Sequence, residues 1–127
     1  MILRSLDDIY GTERDVDWGN GQSRRFLVEK DNMGYSLTET QILPGTSSLL
    51  EYKNHLEACY CISGEGEVRT VEDDKVYPIK PGTMYALDKH DAHYLIAHSE
   101  MKLVCVFNPP LKGTESHNLK DGESSVY

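Results

Sequence analysis

The stretch EACYCISGEGEVRTV, Glu57 to Val71, decides how this chain folds. Its first half alternates: Glu57, Cys59 and Cys61 share one face of an extended segment, and Ala58, Tyr60 and Ile62 share the other. Two closely spaced glycines, Gly64 and Gly66, then permit a tight reversal before a second strand, EVRTV. A carboxylate on a strand otherwise made of Ala, Cys, Tyr, Cys and Ile is costly to bury unpaired. Glu57 therefore either reaches water or has a partner.

The same rhythm continues on both sides. Upstream, DVDWGNGQ reads as a loop, SRRFLVEK as a strand, DNMG as a turn and YSLTETQIL as a second strand. PGTSS reads as a turn before LLEYKN. Downstream, EDDK suits a hairpin turn into VYPI, and KPG starts TMYAL. A polar DKHDA turn precedes HYLIA, and SEMKLVCVF supplies a last long strand. No helical period persists and no repeat recurs. Eight or more short strands with glycine and proline at the turns predict an all-β domain, a small sandwich or barrel. From NPPLKG onward the chain reads as a C-terminal loop or tail, residues 108–127.

At 127 residues the chain suits a single domain, residues 1–127, with one core. Hydrophobic residues at 39% and charged residues at 27% describe a globular composition. The net charge of -8 leaves no basic surplus to neutralise phosphates, which argues against a nucleic-acid binder. No apolar run approaches a membrane span, and MILRSLDDIYGTERD carries acids too early for a secretory signal, so a cytoplasmic location is expected. Three cysteines, at 59, 61 and 105, are too few for a disulfide scaffold. Cys59 and Cys61 are spaced too closely for a zinc knuckle and read as small apolar filler.

Alternation pairs His93 with Leu95, Tyr85 with Leu87, and Leu103 with Cys105 and Phe107, but both faces of these strands are largely apolar. Periodicity alone leaves open which face is inward. Glu57 and His93 form a sound oxygen and nitrogen ligand pair for iron, manganese, nickel or zinc, and a bound cation would favour a Tyr85 phenolate. Ordinary hydrogen bonds at a barrel rim explain Tyr85 and His93 equally well.

HLEACYCISGEGEV (55–68), VYPIKPGTMYALDKHDAHYL (76–95) and LVCVFNPPLKGTESH (103–117) resemble the ectoine synthase family of the cupin superfamily, and the likeness covers nearly the whole chain. Glu57 and Gly64 fit the end of the first cupin motif, and Tyr85 follows Pro81-Gly82 where cupins usually place histidine. The usual histidine pair of the first motif is absent, with EYKNH in that region. The resemblance implies a jelly-roll cupin barrel with Glu57, Tyr85 and His93 holding iron(II) or another divalent metal.

It further implies ring closure of a small zwitterionic solute, N4-acetyl-L-2,4-diaminobutyrate, to ectoine with loss of water. The family's substrate pocket maps onto Arg25, Thr40, Tyr52, His93, Phe107, Glu115 and His117, with Tyr52, Glu115 and His117 as candidate acid or base groups. Arg25 would take the substrate carboxylate and Phe107 would supply an apolar wall. Without the resemblance, Arg25 reads equally well as a surface strand arginine or a carboxylate binder, Thr40 as a β-former, Phe107 as core, and Glu115 and His117 as exposed tail residues. The tail would close the barrel mouth, and a homodimer is expected.

One position departs from the family. Where a tryptophan commonly encloses the substrate, this chain has Gly21, and its only tryptophan, Trp18, lies three residues earlier. Cys59 stands where valine is common. The change at Gly21 keeps two other functions open: a related metal-dependent cupin enzyme acting on another small amide or diamino acid, and a solute-binding cupin without turnover.

Overall fold

The computed structural model describes residues 1–117; positions 118–127, the end of the expected tail, lie outside the described residues. These residues form ten strands: β1 (Asp15–Asp17), β2 (Gln22–Leu27), β3 (Ser36–Ile42), β4 (Ser47–Leu50), β5 (Leu56–Ser63), β6 (Gly66–Thr70), β7 (Val76–Ile79), β8 (Met84–Leu87), β9 (His93–Ala97) and β10 (Met101–Asn108). All pairings are antiparallel. One sheet runs β1-β2-β3-β10-β5-β8 and the other β4-β9-β6-β7. This is a double-sheet jelly roll around one core.

Two local expectations change. Asp15–Asp17 belongs to a short edge strand rather than a loop, because it pairs with Gln22–Arg24. The Gly64–Gly66 reversal does not make a hairpin: β5 and β6 lie in different sheets, so the chain crosses the sandwich there. Gly64 has φ +81°, and a Cβ on it would stand 2.0 Å from the Glu100 carbonyl oxygen. Glycine is required by this crowded sheet change, where the turn after β9 crosses back beside it. The EDDK hairpin does form, joining β6 to β7. Pro78 sits in β7, an edge strand, where a missing N–H costs no ladder bond.

The packing decides the faces. Glu57, Cys59 and Cys61 on β5, Leu103, Cys105 and Phe107 on β10, and His93 and Leu95 on β9 all point inward and are buried. The partners of β5 on the outside, Leu56, Tyr60 and Ile62, are exposed, as are Met84 and Val106.

Candidate active site

Antiparallel register builds the site. Reading across the larger sheet, Arg25 of β2 pairs with Thr38 of β3, Thr38 with Cys105 of β10, Cys105 with Cys59 of β5, and Cys59 with Tyr85 of β8. One row of inward side chains thus runs from a guanidinium through two thiols to a phenol. The next row places Phe107 opposite Glu57, and Glu57 opposite Leu87. A narrow cavity of about 20 Å³ opens over these rows. Trp18, Thr40, Tyr52, Glu57, Tyr85 and His117 are among its lining residues.

At one end, Glu57 is buried and its carboxyl is pushed well above the usual range by burial, with the Cys105 thiol beside it adding to the rise. Burial, followed by Cys59 and Glu57 as neighbours, raises the Tyr85 phenol well above its ordinary value. His93 is 0% exposed. Its Nδ1–H donates to the Asp91 carbonyl at 2.8 Å, which leaves the lone pair on Nε2. Nε2 is buried without a hydrogen-bond partner. Burial also lowers the His93 pKa, so the ring is neutral at neutral pH. Its centroid lies 6.2 Å from that of Tyr85 and 6.1 Å from that of Tyr52.

An unpartnered buried imidazole nitrogen on a ring near the Tyr85 phenol has the donor chemistry for a divalent cation. The most compact group of ligand atoms is, however, Glu57 with Cys59 and Cys105, all within 4.8 Å of one another. Tyr85 joins it through a hydrogen bond to Cys59. Of the expected ligand trio, Glu57 and Tyr85 therefore share this cluster, and His93 stands beside Tyr85.

On the far side of the same sheet, Arg25 is 0% exposed, which removes the alternative of a surface strand arginine. Its Nε donates to Ser23 Oγ at 3.1 Å, and Nη2 donates to the Glu115 carbonyl. Nη1 lies 3.6 Å from the Glu115 carboxylate. Glu115 and His117 are likewise buried rather than exposed. Burial works against the Glu115 charge, but N–H groups of Gly113 and Lys112, at 2.9 and 2.8 Å, together with Arg25 hold the carboxyl below its ordinary value.

The strap carrying these residues is tied to the β1–β2 turn. His117 N–H donates to the Trp18 carbonyl at 3.2 Å and Ser116 Oγ to the Asp17 carbonyl at 2.7 Å. Burial, followed by the neighbouring His93 ring and Arg25 guanidinium, lowers the His117 pKa to about 3, so its ring is neutral at neutral pH. Tyr52 links the two ends, with centroids 5.5 Å from Phe107 and 5.4 Å from His117. Thr40 Oγ1 is 3.0 Å from Thr38 Oγ1. His55 and His90 are not at the cavity; each donates Nδ1–H to a loop carbonyl, of Pro109 and Tyr52 respectively, at 2.7 Å.

Trp18 answers the question raised by Gly21. Its indole is 3% exposed, lines the cavity edge-on to His117 at 6.2 Å, and donates Nε1–H to the Gln41 carbonyl at 2.9 Å. Gly21 has φ +153°, and a Cβ there would stand 1.9 Å from that same carbonyl oxygen. The indole reaches the cavity from position 18 because position 21 is bare. We expect Gly21→Ala to destabilise the fold by about 2–3 kcal/mol through backbone strain and overpacking. Urea unfolding would measure this, and an unchanged midpoint would refute the arrangement.

Among the lining residues, Trp18, Ser23, Leu50, Cys59, Leu95, Leu103 and Cys105 were not site candidates from sequence. Cys59 and Cys105 meet only through register between strands more than forty positions apart, which no local pattern displays.

The fold and the row of inward donors define a cupin barrel. A Cupin 2 conserved barrel domain protein from Salinispora arenicola superposes with a TM-score of 0.64 at 19% identity, over 84% of this chain and 87% of that one, a likeness of fold alone. The sequence model of ectoine synthase matches residues 1–126. The L-ectoine synthases of Desulfatibacillum aliphaticivorans and Halalkalibacterium halodurans are 58% and 54% identical to this chain. The matches cover 99% and 100% of it, and 98% and 95% of those proteins. The crystal structure of ectoine synthase from P. lautus superposes with a TM-score of 0.85 at 54% identity, over 89% of this chain and 81% of that one. The chain belongs to the ectoine synthase family.

Proposed function

We propose that this protein is an ectoine synthase, a lyase that cyclises N4-acetyl-L-2,4-diaminobutyrate to ectoine with loss of water. The observation that carries the reading is the burial of both the Arg25–Glu115 pair and the Glu57 donor cluster inside one small barrel, in a chain that matches the family end to end. In the reaction the 2-amino nitrogen bonds to the acetamide carbon, the carbon–oxygen bond breaks, and the oxygen leaves as water with the two amine hydrogens.

An acetamide carbonyl is a weak electrophile, so pose and charge stabilisation dominate. Arg25 presents a planar donor fork for the substrate carboxylate, which would replace the Glu115 carbonyl as its acceptor. Glu115, ionised, would bind the substrate ammonium or draw a proton from it. His117, neutral, offers a second acceptor for that proton. Tyr52 has a phenol that can donate to the departing oxygen, while Trp18 and Phe107 wall the folded substrate and exclude water. Thr40 offers a hydroxyl on the same wall. An iron(II) or other divalent ion held by Glu57, Tyr85 and His93 would polarise the carbonyl as a Lewis acid.

No helix among the described residues is long and apolar enough to cross a membrane, and the reading implies a cytoplasmic solute enzyme. A homodimer accompanies it, supported by the apolar outer patch of Leu56, Tyr60, Ile62, Met84 and Val106, which a second copy would cover.

The test is anaerobic turnover of iron(II)-loaded protein with N4-acetyl-L-2,4-diaminobutyrate, with ectoine followed by chromatography beside a chelated control. Metal-dependent ectoine supports the reading. Ligand binding without product would make the protein a solute binder, and product that needs oxygen would make it a different cupin enzyme.

A further inference from the structure

The cavity holds two nucleophilic groups that the proposed reaction does not use. Cys59 and Cys105 are both free thiols, 1% and 2% exposed, and both line the cavity. They are direct cross-strand partners on β5 and β10. Such Cα pairs stand about 4.5–5.5 Å apart, inside the roughly 4.4–6.8 Å that a disulfide spans. Their sulfurs are already 3.6 Å apart, with the Cys105 thiol donating to Cys59. The third cysteine is differently placed: Cys61 Sγ lies 3.4 Å from the Ser63 carbonyl and 3.7 Å from that of Gly64, and it does not line the cavity.

We propose that Cys59 and Cys105 are an oxidant-responsive pair that closes to a disulfide in the cavity and disables the Glu57 donor cluster. This regulatory role rests on the function proposed above; the disulfide itself does not.

The oxidant is hydrogen peroxide, small and neutral enough to enter a narrow cavity. One sulfur attacks peroxide and becomes a sulfenic acid as a first water leaves. The second thiol displaces the hydroxyl, forming the sulfur–sulfur bond and a second water. In sum, two thiols lose two electrons and two protons, and one peroxide becomes two waters. The sulfurs must close from 3.6 Å to about 2.05 Å, a shift that side-chain rotation can take up. The cost falls on the site. The Cys59 thiol meets both the Glu57 carboxyl and the Tyr85 hydroxyl, and Cys105 meets Glu57. Closure removes two thiol protons from that network and turns the sulfurs toward each other, away from Glu57 and Tyr85. A reducing thiol reverses it.

The experiment pulses the reduced protein with hydrogen peroxide, stops the pulse with catalase, and reads intact mass without reductant. It is run on protein as isolated and after chelation. We expect a loss of about 2 Da, a peptide link between Cys59 and Cys105, and a Cys61 that still alkylates. Cys61→Ser should keep the link and Cys59→Val should abolish it. Retained metal and ectoine formation should each drop by at least about tenfold in the linked form and return with dithiothreitol.

Three alkylatable thiols after the pulse, masses raised by added oxygen, or a link through Cys61 would overturn the pairing. A linked form that keeps its metal and its rate would overturn the switch. A link that forms and expels metal from a protein making no ectoine when reduced would refute the function and support the pairing. An active enzyme that never links would do the reverse.

Discussion

Glu57→Ala is expected to lower kcat/KM for ectoine formation by about 10³-fold and to lower bound metal in parallel, with His93→Ala close behind. The two side chains fail for different reasons. Glu57 is a buried carboxyl whose nearest polar neighbours are thiols, so its charged form has poor support without a cation. His93 directs an unpartnered Nε2 inward, because Nδ1 is committed to the Asp91 carbonyl. Losing a Lewis acid worth about 4 kcal/mol to the transition state corresponds to a rate loss of about 10³.

A stability readout separates a ligand from a merely structural residue. In metal-free protein, Glu57→Ala removes a group that is costly to bury and should leave Tm unchanged or higher. In metal-loaded protein, the variant should lose the stabilisation that metal gives the parent. Metal content by atomic emission, kcat/KM and paired melts check this, and a fully metallated, fully active Glu57→Ala would refute it.

The second large effect is expected at Arg25. Arg25→Met should cost about 3 kcal/mol of folding stability, because it leaves Glu115 buried against backbone N–H groups with its cation removed. For a chain of this size that corresponds to a fall in Tm of roughly 12 °C. The same variant should raise KM by about 10²-fold, since the substrate carboxylate loses a charged donor worth about 3 kcal/mol.

Arg25→Lys keeps the charge but not the fork and should fall between the two. Pairing Arg25→Met with Glu115→Gln removes the stranded charge and should recover part of the stability without recovering KM. Thermal melts and initial rates across the three variants make the check. Wild-type melting and KM in Arg25→Met would show that neither the ion pair nor the carboxylate contact exists.

Much of this was legible along the chain. The alternation in EACYCIS and MKLVCVF, with Pro-Gly and Asp-Lys punctuation, predicts short strands, and strands appear there. Glu57 stood out because a carboxylate in such company needs an explanation. The resemblance pointed to Tyr85, His93, Arg25, Glu115 and His117; all five are at least partly buried, and Tyr85 and His117 line the cavity, whereas His93, Arg25 and Glu115 are not among its lining residues.

Other features were not legible. Asp15–Asp17 looked like loop because a three-residue edge strand has too little pattern to be seen without its partner. Gly64 and Gly66 suggested a hairpin, since nothing local distinguishes a hairpin turn from a change of sheet. The polar composition of TESH favoured exposure, yet Arg25 and the β1–β2 turn hold it inside.

By itself, then, the sequence determined the element type, the residues that share a face, and the membership of the family. Those follow from a side-chain period of two, from turn chemistry, and from motifs that lie within short segments. Only the tertiary structure decided which face is the lumen, that Trp18 fills the space over Gly21, that Arg25 and Glu115 meet, and that Cys59 faces Cys105. The lumen face and the Cys59–Cys105 contact depend on the register between strands far apart in the chain, and the other two on how the β1–β2 turn and the 111–117 strap pack against those strands. Register is set by the simultaneous packing of two sheets, and a shift of one residue would turn the strand side chains among these to the other face.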